Sequence, residues 1–221
     1  MFGPMKRRDF VTRGATGVAA SVATITFGWW DEPRAQTMPA LVATPSQTTG
    51  PFYANPPPAE QDNDLTRVGE KRAAGETVFL SGLLFDAVGK SIPDARIEIW
   101  QCNANGRYHH PRDQSSAALD PGFQGFGAHR TDATGAYRFT TIHPVPYPGR
   151  TPHIHFLVAV PGRRAFVTQM YVAGHPGNER DGLLANIADP RQRATLLVPF
   201  NRLSGGTAAE WSAKFDIVLP M

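Results

Sequence analysis

The side chains with the clearest chemical potential lie in the segment from Tyr147 to His155. His153 and His155 are two residues apart at the start of the apolar run His-Ile-His-Phe-Leu-Val-Ala-Val. Residues i and i+2 of a β-strand point to the same face, so both imidazoles should project together from one strand. This spacing predicts half of a metal site. The alternative is a metal-free strand, because a His-x-His pair on a strand is common.

Two tyrosines supply the other half of the predicted site. Tyr108 ends the segment Trp-Gln-Cys-Asn-Ala-Asn-Gly-Arg-Tyr, and Tyr147 precedes the two histidines. Phenolates are hard anionic donors that suit a trivalent ion, whereas Zn²⁺ sites are usually built from Cys, His and carboxylates. The single cysteine, Cys102, excludes a cysteine-rich zinc or iron–sulfur site. Two phenols and two imidazoles therefore best fit non-haem Fe(III) with an open position for a further ligand.

A proline-rich loop should hold part of this site in place. Four prolines lie between Pro144 and Pro152. Proline fixes φ, so the loop should present Tyr147 and Arg150 in a defined geometry. A tyrosine flanked by prolines and a nearby arginine could equally be ordinary loop residues. The prediction of a metal site depends on their combination with Tyr108.

Short strands separated by turns should carry these loops. We expect strands at Val78–Phe85, Ile97–Trp100 (half-buried), Tyr137–Thr141, His153–Val160, Phe166–Val172 and, with alternating apolar residues, Phe215–Leu219. One short helix is expected around Glu179–Ile187, stopped by the Asp189-Pro190 pair. The predicted fold class is all-β: a β-sandwich of mostly antiparallel strands with long active-site loops and little helix.

The stretch from Cys102 to Arg130 has no periodicity and predicts a long loop, which in a compact domain is usually functional. The histidines outside the His-x-His pair are weaker candidates. His109 and His110 should lie beside the site or on the surface, and the others are expected to be polar loop residues: His129, His143 and His175.

Length and charge favour one globular domain without a nucleic-acid partner. The chain has 221 residues, of which 41% are hydrophobic, enough for a substantial core. Its 20 prolines and 21 glycines favour turns and short strands. Without residues 1–35, 17 basic and 16 acidic residues remain, so no basic surface for nucleic acid or anionic membrane is expected.

The N-terminal segment, residues 1–35, is typical of a twin-arginine export signal. Arg7 and Arg8 are followed by an aromatic residue, Phe10, and then by a weakly apolar stretch. The prediction is an exported protein, periplasmic or extracellular, with residues 36–221 as the mature β-sandwich domain. The cleavage site is poor, so retention as a membrane anchor through the N-terminus stays open. A short basic tail on an apolar helix is the other alternative.

Several ordered motifs resemble one enzyme family. They are Thr-Pro-Ser-Gln-Thr-x-Gly-Pro from Thr44, Trp-Gln-x-Asn-x-x-Gly-Arg-Tyr from Trp100, Leu-Asp-Pro-x-Phe-x-Gly from Leu119 and Arg-x-Pro-His-Ile-His-Phe from Arg150. With these motifs the chain resembles the intradiol ring-cleavage dioxygenases, most closely the protocatechuate 3,4-dioxygenase branch. The resemblance covers nearly the whole mature chain.

The resemblance implies an iron centre and a reaction. Non-haem Fe(III) would be bound by Tyr108, Tyr147, His153 and His155, with Tyr147 and His153 as axial ligands. A catechol-type small molecule would displace Tyr147, whose phenolate accepts a substrate proton. With O2 as co-substrate, the ring would be cleaved between its two hydroxyl-bearing carbons to a cis,cis-muconate-type product.

The resemblance also implies roles around the iron. Arg150 would stabilise negative charge that builds on the substrate ring. Gln169 matches a position that hydrogen-bonds near the iron. Thr48, Gly50 and Pro51 match a segment that lines the substrate pocket and can come from a partner subunit, which leaves a homo-oligomer open.

One departure concerns the loop before the histidines. Five residues separate Tyr147 from His153, whereas the family often has a longer insertion with a tryptophan. The pocket should therefore be more open, which leaves the ring substituents of the substrate undecided. Two alternatives remain: an exported β-sandwich module that binds a metal or an aromatic without turnover, and a hydrolase on the same fold. The hydrolase leaves both tyrosines without a role.

Overall fold

The computed structural model describes residues 41–205 and 209–220. The predicted twin-arginine segment lies outside these residues. No helix within the described ranges is long and apolar enough to cross a membrane.

The described residues form twelve strands and three short helical segments. The strands are β1 (Arg67–Val68), β2 (Lys71–Arg72), β3 (Thr77–Phe85), β4 (Arg96–Trp100), β5 (Phe126–Arg130), β6 (Ala136–Ile142), β7 (His153–Ala159), β8 (Phe166–Val172), β9 (Leu197–Val198), β10 (Phe200–Arg202), β11 (Trp211–Lys214) and β12 (Ile217–Val218). The helical segments are a 3-10 helix (Pro176–Arg180), α1 (Gly182–Ala185) and α2 (Pro190–Thr195). The predicted all-β class with little helix is confirmed.

Two five-stranded sheets make up the sandwich. In the first, β3 pairs with β6 on one side and with β11 and β12 on the other, and β10 extends the sheet beyond β11. The second has the order β5-β4-β7-β8-β9, so that β7, with both histidines, is its central strand. Most pairs are antiparallel, as predicted, but β11 and β12 run parallel to β3, and β9 runs parallel to β8.

The apolar core lies between the sheets and fixes which face of β7 points outward. Ile154 and Phe156 are fully buried in this core, where the Phe156 ring lies 5.0 Å from that of Phe215. Because side chains alternate along a strand, His153 and His155 point to the opposite face. Both are nevertheless only 1% exposed, because loops cover the outer face at this end of the sheet.

Three expectations about the strands are wrong. The expected irregular stretch after Cys102 ends in β5, which places His129 on a strand. The expected final strand, Phe215–Leu219, is shorter, because only Ile217–Val218 forms β12, and the strand before it, β11, was not expected; the two pair with β3 in succession. The strand ending at Trp100 is not half-buried: Glu98 is only 7% exposed, and its carboxylate accepts hydrogen bonds from Tyr53 and Arg96 at 2.8 and 2.7 Å.

The helical region also differs from the prediction. The expected single helix is a 3-10 turn followed by α1, and the Asp189-Pro190 pair begins a further helix instead of stopping one. Asp189 caps α2 by accepting a hydrogen bond from the backbone N–H of Arg191 at 2.8 Å. Proline suits the first helical position, because its fixed φ is helical and its missing N–H would have no partner there.

Candidate metal centre

Strand pairing places the two histidines among other site residues. His155 lies opposite Trp100 of β4 on one side and Gln169 of β8 on the other, and His153 lies opposite Tyr171. The indole of Trp100 stacks on the imidazole of His155 with 4.8 Å between ring centroids and an interplanar angle of 7°. The site is therefore supported by three adjacent strands of one sheet.

The four predicted ligands come together as one cluster of rings. Ring centroids are 4.9 Å apart for His153 and His155, 5.5 Å for Tyr147 and His153, and 5.6 Å for Tyr108 and Tyr147. Tyr108 and His155 close the cluster at 6.5 Å. Each ring touches two others, although the sequence separates the tyrosines by 39 positions.

The loop that carries Tyr108 is fixed by its own hydrogen bonds. Asp113 accepts from the backbone N–H of Tyr108 at 2.7 Å, and Asn103 accepts from that of Arg107 at 3.0 Å. Gly106 has a φ of +76°, and a Cβ there would lie 3.1 Å from the carbonyl oxygen of Pro146. Only glycine allows this close approach without strain, so it brings the two tyrosine loops together.

Two buried polar atoms of the cluster, Tyr108 Oη and His153 Nε2, lack a hydrogen bond of normal geometry, although Tyr108 interacts with Tyr147. His155 Nδ1 also lacks one, but this imidazole interacts with the backbone of Thr48. Polar atoms are costly to bury without a partner, so two of them on rings of one cluster indicate a place for a further ligand. In His153, Nδ1 lies 2.6 Å from the carbonyl oxygen of Thr151. That contact favours the tautomer with the proton on Nδ1, which leaves Nε2 with its lone pair free for a metal.

The protonation states also fit a metal centre. Burial, together with the charge of Arg150, lowers the pKa of His153 to about 4, and burial with His153 lowers that of His155 well below its usual value. Both imidazoles are therefore neutral at pH 7, the form that binds metals. Burial, with the nearby Tyr147, raises the pKa of Tyr108 well above its usual range. Tyr108 needs a cation beside it to become a phenolate.

Tyr147 has the most accessible position in the cluster. Its side chain is half-buried, and burial raises its pKa while Arg150 partly opposes the rise. The adjacent residues Pro148 and Gly149 are exposed, and a Cβ at Gly149 would meet no atom within 4 Å. Tyr147 therefore lies in a short, solvent-exposed loop, and the more open pocket expected from the five-residue spacing stays a prediction.

Arg150 lies beside the cluster in a network of hydrogen bonds. Its Nη2 donates to Gln169 Oε1 at 2.7 Å and to Tyr171 Oη at 3.3 Å, and its Nε donates to Asp181 Oδ2 at 2.8 Å. Gln169 in turn donates to the carbonyl oxygen of Thr48 at 3.1 Å. Arg150 and Gln169 thus form one connected unit with the N-terminal loop.

The segment of Thr48, Gly50 and Pro51 reaches the site from the same chain. The Thr48 hydroxyl oxygen accepts a hydrogen bond from the N–H of Gly50 at 3.1 Å. A Cβ at Gly50 would lie 3.3 Å from His155 Cε1. Next in sequence, Phe52 stacks on Tyr108 with 4.6 Å between centroids. A partner subunit is therefore not needed to bring this segment to the histidines.

The remaining histidines lie outside the ring cluster. His109 is exposed, and His110 meets the edge of Phe52 at 5.8 Å. His129 lies on β5 rather than in a loop, which corrects the expectation for this residue. His143 packs between Phe200 and Trp211, and His175 caps the 3-10 helix.

Sequence reasoning missed three residues that complete the site: Asp181, Tyr171 and Phe52. Asp181 precedes Gly-Leu-Leu, a sequence typical of a helix start, but nothing local indicates that its carboxylate is buried against Arg150. Tyr171 follows Gln169 by two positions in an expected strand, so alternation would have placed both on the same face.

Comparisons with known proteins agree with this geometry. A family profile described as "Dioxygenase" matches residues 48–220. The chain is 38% identical over 183 residues to the protocatechuate 3,4-dioxygenase beta chain of Burkholderia cepacia, covering 76% of each chain. It is 31% identical over 206 residues to hydroxyquinol 1,2-dioxygenase of Corynebacterium glutamicum, covering 80% of this chain and 64% of that enzyme.

Among solved structures, the fold is similar to the dioxygenase domain of a dioxygenase–carbohydrate-binding fusion protein from Streptomyces sp. SirexAA-E. The TM-score is 0.62 at 30% identity, and the match covers 81% of this chain and 99% of that domain.

Proposed function

This chain belongs to the intradiol ring-cleavage dioxygenase family, and we propose that Tyr108, Tyr147, His153 and His155 bind its non-haem Fe(III). As an enzyme of this family it cleaves a catechol-type ring between the two hydroxyl-bearing carbons with O2. The observation that carries the iron proposal is the packing of these four rings in one cluster, in which Tyr108 Oη and His153 Nε2 are buried without a hydrogen bond of normal geometry.

The chemistry of the donors supports Fe(III) at this position. Neutral imidazoles and phenolates together suit a hard trivalent ion better than a soft one. When bound, Fe(III) would act as a Lewis acid that favours the phenolates and the doubly deprotonated catechol and makes the ring reactive towards O2. Tyr108 is buried beneath Phe52, so water has little access to its oxygen.

The two remaining roles belong to Tyr147 and Arg150. The half-buried side chain of Tyr147 in its open loop suits a ligand that leaves, and its Oη would accept a proton from a catechol hydroxyl. The guanidinium of Arg150 lies beside Tyr147 with a fixed charge. It would stabilise negative charge on the ring in a place where most water is excluded.

The lining of the substrate pocket is part of the same proposal. Gln169 would orient Arg150 and, through the carbonyl of Thr48, the loop that carries Gly50 and Pro51. That loop would form one wall for the bound ring. The curated relatives are enzymes, so they favour turnover over a module that binds a metal or an aromatic without reaction.

A visible spectrum of the purified protein tests the iron proposal first. Tyrosinate bound to Fe(III) absorbs broadly in the visible, so the protein should be coloured, and the band should shift when catechol, protocatechuate or hydroxyquinol is added without O2. Admitting O2 should bleach the shifted band and release a muconate-type product for at least one of the three rings. A protein that stays colourless after Fe(III) loading would contradict the four-ligand assignment.

The N-terminal segment carries a separate proposal, that residues 1–35 direct export through the twin-arginine route. The support is the Arg7-Arg8 pair followed by Phe10. A fusion of this segment to a reporter that is active only after export should give signal, and R7K/R8K together should abolish it. Equal signal from both fusions would contradict the proposal, and fractionation of the wild type would show whether the segment remains as a membrane anchor.

A further inference from the structure

Asp181 is a buried carboxylate that accepts hydrogen bonds on both oxygens. Its side chain is 0% exposed. Oδ2 accepts hydrogen bonds from Arg150 Nε at 2.8 Å and from the backbone N–H of Thr151 at 3.1 Å. Oδ1 accepts from the N–H groups of Leu183 and Leu184 at 3.1 and 3.2 Å. A buried charge is tolerated only when it is paired and bonded in this way.

These bonds join two parts of the chain that are distant in sequence. One oxygen of Asp181 caps the start of α1, and the other holds the loop that carries Arg150, 31 positions earlier. Capping of α1 alone does not require the hydrogen bond between Asp181 and Arg150. Asp189 caps α2 in the same manner, yet its ion pair is with Arg191 of its own helix.

The bond to Asp181 determines how the guanidinium of Arg150 is oriented. Asp181 accepts a hydrogen bond from Nε. Gln169 and Tyr171 accept from Nη2, a different nitrogen of the same planar group. A planar group held at two of its nitrogens has one orientation, which a lysine ammonium could not reproduce. The Arg150 side chain is 15% exposed, so little water is available to replace a lost partner.

We propose that Asp181 is a positioning residue for ring cleavage: it fixes the guanidinium of Arg150 at the substrate ring without touching substrate or metal. The inference rests on the proposed role of Arg150. Without the carboxylate, the guanidinium would lose the charged partner of its Nε, and its positive charge would no longer be directed at the ring. Such a loss affects the charge that develops during the reaction more than the binding of the catechol.

The test compares two isosteric changes, Asp181→Asn and Asp189→Asn. Asparagine caps helices as well as aspartate does, so both variants keep the cap and lose the charge together with the acceptor oxygen that faces the arginine. For iron-loaded enzyme acting on catechol, D181N should lower kcat at least tenfold with less than a threefold change in KM. D189N should stay within twofold of wild type in both.

A double-variant cycle separates positioning from general damage. If Asp181 acts through Arg150, D181N added to R150Q should reduce kcat by less than twofold, because the group that it positions is already gone. The double variant should also unfold at a higher temperature than D181N, since it no longer buries an unpaired guanidinium. Equal fold-losses from D181N in both backgrounds would overturn the proposal, as would a D181N enzyme with wild-type kcat.

A crystal structure of each variant gives a readout that needs no turnover. In D181N the Arg150 guanidinium should have left Gln169 Oε1, whereas D189N should keep the wild-type distance. An unmoved Arg150 in D181N would overturn the proposal. Wild-type protein that binds iron but cleaves none of the three catechols would instead count against the proposed function, and the structural comparison would remain decisive for Asp181.

Discussion

The indole of Trp100 lies almost parallel to the imidazole of His155, with 4.8 Å between the ring centroids. The two residues are directly paired across the adjacent strands β4 and β7. Because the indole covers one face of the imidazole, the imidazole of His155 can rotate little about its Cβ–Cγ bond. The orientation of a predicted iron ligand is therefore set by packing within the sheet, independently of the metal.

Replacing Trp100 should weaken both the fold and the metal site. We expect W100A to reduce the free energy of unfolding by about 3–5 kcal/mol, because it leaves a large cavity in a buried position. His155 would also gain freedom, so the iron content after purification should fall. W100F keeps an aromatic face and should retain more of both. Denaturant unfolding measures the stability of the two variants, and metal analysis measures their iron content. Full iron content in W100A would contradict the predicted role of Trp100 in orienting His155.

Gly50, in the N-terminal loop, also lies against the imidazole of His155. It has a φ of +67°, and its missing Cβ would lie 3.3 Å from His155 Cε1. We expect G50A to lose about 1–2 kcal/mol of unfolding free energy through backbone strain. In addition, the methyl group should push His155 out of place and lower iron affinity, which a titration with Fe(III) would measure.

Gly69 offers a matched control for this substitution. Its φ of +57° is similar, but a Cβ there would meet no atom within 4 Å. G69A should therefore show the same strain energy with wild-type iron affinity. If G69A and G50A lose iron equally, the effect at Gly50 comes from the backbone and not from contact with His155.

Two buried tyrosines should respond in opposite directions to the loss of a hydroxyl. Tyr108 Oη is buried without a hydrogen bond of normal geometry and has only its interaction with Tyr147, so Y108F should raise the unfolding free energy of the metal-free protein by about 1 kcal/mol. Tyr137 Oη donates to the carbonyl oxygen of Phe215, so Y137F should lower it by about 1–3 kcal/mol. Of the two variants, only Y108F should weaken and shift the visible band of the iron-loaded protein, because Tyr147 remains as the one tyrosinate ligand. A metal-free Y108F protein less stable than wild type would contradict the assignment.

Local patterns were sufficient for the histidine strand. His153 and His155 share a face of β7, as the two-residue spacing predicts, because alternation is a property of the strand itself. The role of Tyr108 as a candidate ligand could also be predicted, because the motif that ends at Tyr108 is one of those that carry the family resemblance. The distance between Tyr108 and Tyr147 could not be derived from spacing, because it depends on the contact of two loops at Gly106.

The misjudged elements depend on distant partners. The strand β11, Trp211–Lys214, pairs in parallel with β3, which lies more than 130 positions earlier in the sequence. No local turn motif predicts a pairing over such a distance. The Asp189-Pro190 pair was interpreted as a stop, although the same two residues are a good cap and first position of a helix. Asp181 was missed because its burial depends on Arg150, which reaches it from another loop.

The charge of Asp181 should also govern part of the acid stability. Burial alone would raise its pKa, but the hydrogen bonds from Arg150 and from the backbone outweigh burial, and the net pKa is lowered. The folded pKa is thus below the unfolded value of about 3.9. A group with a depressed folded pKa contributes stability above its unfolded pKa, and this contribution is lost as pH falls through the folded value.

We therefore expect the difference in unfolding free energy between wild type and D181N to be constant, at about 3 kcal/mol, from pH 7 to about pH 5. Below about pH 4 the difference should shrink, because protonated aspartic acid and asparagine are both neutral. Denaturant unfolding of metal-free protein at several pH values measures it. G69A changes no titratable group, so its difference from wild type should not vary with pH. A D181N difference that grows as pH falls would mean that the folded-state pKa of Asp181 is raised and that the Arg150 bond does not outweigh burial.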